Sequence, residues 1–131
     1  MVSEPKMREI LFRGKRTKTG EWVEGLLFHH CEKASSIWSG KLDKAVWVNP
    51  ETVGQFTGRI DKNGKKVFEH DILQICDGVS RGIVQWWEND QCYVLETKEG
   101  WHIDDFGNYG RPEYYEVIGN IHDNPELLER L

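Results

Sequence analysis

From Met7 onward the apolar positions of this chain recur in short runs of β-branched and aromatic residues, with period-two alternation and breaks at Gly, Asn, Asp and Pro. Residues 8–13 form the first such run, closed by turn chemistry over 17–20. A second covers 21–29, in which Trp22, Leu26 and Phe28 share one face and Gly25 marks a bulge. Residues 31–43 are polar, Ser-rich and aperiodic, which predicts a surface loop carrying Trp38. Residues 44–48 give another strand, stopped by Asn49-Pro50. Ile60 and Val67-Phe68 flank Asp61-Lys62-Asn63-Gly64, whose Asn-Gly ending predicts a tight hairpin turn because both residues tolerate positive φ. Strands follow at 71–76, 82–87 and 92–96, separated by Asp77-Gly78 and Glu88-Asn89-Asp90. After a Gly-, Asp- and Asn-rich stretch a last strand covers 114–121. Asn124 as N-cap, Pro125 in the first turn and Glu126 at the positive end of the dipole predict a terminal helix over 124–131, with Leu127, Leu128 and Leu131 available to pack.

Strands at intervals of 8 to 12 residues predict a mainly β protein: a small antiparallel barrel-like domain of the SH3 or OB sort with a short C-terminal helix. Composition agrees, with two Ala against ten Val and nine Ile. The 131 residues suit one domain, 1–131, with residues 1–6 disordered ahead of it. No window reaches the 18 apolar residues of a membrane span, and the opening MVSEPKMREI lacks an apolar signal region, so a cytoplasmic protein without membrane contact is expected. Cys31, Cys76 and Cys92 are odd in number and show no C-x-x-C spacing, which reads as three free thiols acting as small core hydrophobes.

Formal charge is −5, unevenly spread. Residues 1–20 hold Lys6, Arg8, Arg13, Lys15, Arg16 and Lys18 against Glu4 and Glu9, whereas residues 99–131 hold eight acids and two bases. Such a layout can steer head-to-tail self-association or an anionic partner to one end, although a solvated strand and loop account for it more simply.

Candidate chemistry is sparse. His29-His30-Cys31, Glu69-His70-Asp71, His102 with Asp104 and Asp105, and His122-Asp123 carry metal-ligating types, but none reaches a zinc spacing, and neighbours such as His29 and His30 point to opposite faces of a strand. No metal or cofactor is expected. The nucleophile elbow, the P-loop and the dinucleotide fingerprint are all absent, and a carboxylate pair such as Asp71 with Asp104 or Asp105 has nothing to single it out. No catalytic residue is assigned. A binding role has more material: Trp86, Trp87 and Tyr93 on the meander offer stacking surfaces, with one of the two tryptophans facing away from the core, while Arg13 and Arg16 offer phosphate contacts. With Trp38 these form the candidate binding set. The alternative partner class is therefore single-stranded nucleic acid, bound weakly and without sequence preference. Six Trp are hard to bury in one small core, and exposed Trp is equally a protein hot-spot residue, so a homo-oligomer and a protein partner are the leading expectation.

Three blocks in order, MREILFR, TGRIDKNGKKVFEHDIL and YEVIGNIHDNPELL, resemble the YopX-like proteins of phages and prophages across most of residues 7–131. The resemblance implies a β-rich, self-associating protein in the cytosol of a phage-infected or lysogenic bacterium; separately, with no catalytic constellation present, a host or phage protein is an expected partner. It implies no reaction, and it carries over no catalytic or binding residue. The shared TG, DKNG and EHD positions read as turn formers. His70 stands where the family pattern has Gly, so a positive-φ turn there strains a non-Gly residue by ~1 kcal/mol.

Overall fold

The structure, a computed structural model, describes Glu4 and residues 7–75, 80–97, 102–103 and 112–128. Among these, eleven strands form two antiparallel sheets: β1 (Phe12–Lys15), β2 (Trp22–Cys31), β3 (Ala34–Ser39), β4 (Lys44–Val48), β5 (Gly54–Ile60), β6 (Lys66–Phe68), β7 (Asp71–Ile75), β8 (Arg81–Trp87), β9 (Cys92–Thr97), β10 (His102–Ile103) and β11 (Tyr115–Asn120). The first sheet runs β4-β3-β2-β1-β5-β6 and the second β10-β9-β8-β7-β11. The chain is mainly β and antiparallel, as its alternation requires. It is not a closed barrel, because the β1 to β4 seam holds only one bridge, Arg16 to Val48, supported by the Thr17 N–H donating to the Trp47 carbonyl and the Asn49 N–H to the Lys15 carbonyl.

Strand alternation sorts the first sheet cleanly. Val23, Ile37, Val46 and Val48 point inward and close a small core with Phe12, Leu27 and Val53, while Leu26, Phe28, Trp38 and Trp47 point outward. Gly25 does not bulge. A Cβ there would lie 1.8 Å from the Trp38 carbonyl oxygen, so the missing side chain admits β3 against β2, and the register shift falls instead between His29 and Cys31. Residues 31–43 are likewise not a loop. The segment 34–39 is β3, a strand of the first sheet, since Ser35 and Ile37 occupy inward positions although the stretch looks polar. At the β2 end Cys31 is exposed and Cys92 is half-buried; both are free, but neither lies in the core, and Cys76 lies outside the described residues.

A second core, Val67, Leu73, Val84, Leu95, Tyr115 and Val117, is built mainly by the second sheet. Val67 comes from β6, so the β5-β6 hairpin pairs with one sheet and packs into the other. The hairpin turn is wider than the Asn-Gly signal suggests: Ile60 pairs with Lys66, and only Gly64 has positive φ. At the far end the chain makes one 3-10 turn, Pro125–Leu128, in place of the expected helix. The Asn124 carboxamide oxygen reaches back to the Asn120 N–H rather than capping forward. Residues 129–131, and all of 1–6 except Glu4, lie outside the described residues.

Candidate functional site

Polar side chains gather where the two sheets meet. The Asp61 carboxylate is 1 % exposed and accepts three backbone N–H groups: Asn63 at 2.8 Å, Lys65 at 2.9 Å and, from β11, Val117 at 2.9 Å. Burial alone would raise its pKa, but those N–H groups hold it below the ordinary carboxylate value. Asp71, equally buried, accepts the Phe68 N–H at 2.8 Å and pairs with Arg13 at 2.7 Å. Burial pushes its carboxyl up while Arg13 and the Phe68 N–H pull against that. The Arg13 guanidinium lies between the rings of Trp22 and Phe68, 4.7 and 4.9 Å from their centroids.

Beside this pair, His70 has φ +73°, in the left-handed region that a non-Gly residue rarely adopts. Its Nδ1 lies 3.4 Å from Nε2 of His122. Burial lowers the pKa of both imidazoles, and each depresses further near the Arg13 charge. Asp123 accepts from the Trp22 indole at 2.7 Å and from Lys15, and these two hold its pKa down at about 2. This cluster fastens β1 and β2 to the 120–123 turn. Its charges are spoken for by one another, and among the described residues no three His, Cys, Asp or Glu side chains are arranged to hold a metal ion.

The predicted binding residues are scattered by this arrangement. Arg13 is committed to Asp71. Trp86 is 42 % exposed and lies on the same face of β8 as buried Val84, beyond the edge of the core, whereas Trp87 takes the opposite face and is half-buried. Trp86 meets Tyr93 edge-on at 5.0 Å, and together they line a groove of about 560 Å³ with Arg8, Phe56 and Glu69. The Tyr93 hydroxyl is pushed up to about 12 by burial. Two acids, Glu9 and Glu69, line that groove, and the Trp86 indole donates to Glu88 at 2.6 Å, so the surroundings are poor for phosphate. Trp38 stands on the outer face of the first sheet, directly opposite Leu26. Arg16 lies on the first sheet too, beside Trp47.

Trp47 was not among the residues that the sequence singled out. It projects from β4, 53 % exposed, with the His30 ring 4.9 Å away. Leu26, Phe28, Trp38 and Trp47 are each between 40 and 54 % exposed on this one face, in register through the Leu26-Trp38 and Phe28-Ser36-Trp47 rows. The available signal was the period of a strand over 44–48, which puts Ala45 and Trp47 on the face opposite Val46 and Val48.

Residues 11–129 match the family model described as YopX protein. The chain belongs to the YopX family. Nearly all of this YopX-family chain is also similar to a solved structure, the crystal structure of protein EF1440 from Enterococcus faecalis. The two are 26% identical, with a TM-score of 0.61, over 93% of this chain and 99% of that one. No curated protein matches the chain. No helix among the described residues is long and apolar enough to cross a membrane.

Proposed function

We propose that this YopX-family chain is a phage or prophage accessory protein of the bacterial cytoplasm that works by binding protein, its own copies included, rather than by catalysis. The observation that carries the reading is the outer face of the first sheet, where Leu26, Phe28 and Trp38 stand side by side with about half their surface in solvent. Contiguous apolar surface of this kind marks interaction sites in otherwise well-packed proteins. The uneven charge along the chain supports pairing of unlike ends. We read the curl of β1 to β4, drawn together at Arg16 and Val48, as SH3-like.

Sedimentation equilibrium at micromolar concentration tests the reading. A symmetric oligomer is expected, dissociating when Leu26 and Phe28 are both replaced by Ser. A lone 15.3 kDa species for the unaltered chain would overturn self-association.

A further inference from the structure

Two clefts meet at Trp47. One, about 650 Å³ and open, is lined by Lys15, Arg16 and Lys33; the other, about 160 Å³, by Arg16, Lys18 and Lys44. Among the described residues no carboxylate lines either cleft, in a chain of net charge −5. Lys15 is engaged by Asp123. Arg16, Lys18, Lys33 and Lys44 enter no ion pair among the described residues, and the Arg16 Nε is buried with no hydrogen-bond acceptor. Between them rises a half-exposed indole, steadied by His30, whose own Nε2 lies 3.0 Å from the Ser36 hydroxyl.

We infer that this cradle is a binding site for a short single strand of nucleic acid, with a base stacked on Trp47 and phosphates on Arg16 and the three lysines. Stacking needs an exposed π-face and is tolerant of sequence, while backbone contacts need cations on both sides of it; the two clefts supply cations on either flank of one ring. The Arg16 guanidinium adds a planar fork suited to phosphate oxygens. An acidic polypeptide would also satisfy the lysines and pack a side chain on the indole; cations on both flanks of one ring fit a stacked base with a phosphate on either side of it. The cradle borders the face proposed for self-association, because Trp47 follows Phe28 across Ser36 in one row; Leu26 and Phe28 themselves lie outside both clefts, so replacing those two separates the proposals.

The test is fluorescence anisotropy of a labelled ten-residue oligothymidylate with the full chain, from low to physiological salt. Binding with Kd on the order of 10⁻⁴ to 10⁻⁶ M is expected, with log K falling against log salt at a slope of about −3 for four cations. Trp47→Ala, on an exposed position, should retain the circular dichroism of the parent and weaken binding by about 5- to 150-fold. Lys18→Ala with Lys44→Ala should flatten the slope by about 1.4, and serves as an independent probe if Trp47→Ala misfolds. Leu26→Ser with Phe28→Ser should leave oligonucleotide binding in place. No binding at ~100 μM protein in low salt overturns the proposal. So does affinity indifferent to both Trp47 and the lysines, or competition by polyglutamate as strong as by unlabelled oligothymidylate, which would assign the cradle to an acidic protein.

Discussion

Replacing Asp61 by Ala removes one side chain and three hydrogen bonds. Two of them, from Asn63 and Lys65, brace the β5-β6 turn at a partly wet edge, where water can take over; each contributes roughly 0.5–1.5 kcal/mol. The third, from Val117, is buried, and a donor orphaned there costs about 1–3 kcal/mol. Relief of the desolvated charge returns part of this, which leaves a loss of about 3 kcal/mol. Against a total stability of roughly 5–15 kcal/mol that is severe. With a urea slope of about 1–3 kcal/mol/M the midpoint should fall by about 1–3 M at unchanged slope. Asp61→Asn is the sharper case. Its one carboxamide oxygen can serve the turn or Val117, and the amide N–H₂ then faces an N–H on the other side, so this nearly isosteric change should still cost about 2 kcal/mol. Because the fold holds the Asp61 pKa below its ordinary value, the ionised carboxylate is the stabilising form. Its contribution is complete above about pH 4 and is lost as pH falls through the depressed folded value, so Asp61→Asn should blunt acid unfolding in that range. Urea curves for Asp61→Asn within 0.5 kcal/mol of the parent would refute the reasoning.

His70 and His122 both have lowered pKa values, so below about pH 6.5 the unfolded chain binds protons that the folded one refuses; stability should decline from there towards their folded values, and His122→Gln should lessen the decline in pH-dependent thermal melts. Gly25→Ala should cost more than ~2 kcal/mol or prevent folding, because its Cβ meets the Trp38 carbonyl rather than a movable side chain; a melting temperature unchanged from the parent would show that β2 and β3 can part.

How far the sequence discloses this molecule differs from element to element. Lys44–Val48 is read to the residue, since a short apolar run with two Val and a Trp ends at Asn49-Pro50. β3 escapes because Ser35, Ser36 and Ser39 are buried; small hydroxyls can fill strand interiors when partners such as His29 and His30 reach them, and no local pattern announces that. The terminal helix is overridden by a local use of Asn124, whose side chain turns back four residues to the Asn120 N–H instead of capping forward. Asp61 and Asp71 look like turn formers and do form turns, yet their other oxygen contacts lie across the molecule, at Val117 and Arg13. At the surface, the aromatic and basic residue types are right and their grouping is not: Arg13 is consumed by Asp71, Trp86 neighbours carboxylates, and the cations assemble around Trp47 by way of the single bridge between Arg16 and Val48.

The indole of Trp22 bonds to Asp123, 101 residues further on. On a ribosome adding roughly 5–20 residues per second, that separation takes about 5–20 s to emerge. Throughout that interval β1 and β2 stand without the turn that bonds the Trp22 indole and pairs Lys15. The junction thus waits on the 120–123 turn, and a nascent chain exposes more of an aromatic and cationic surface that the finished fold half-covers.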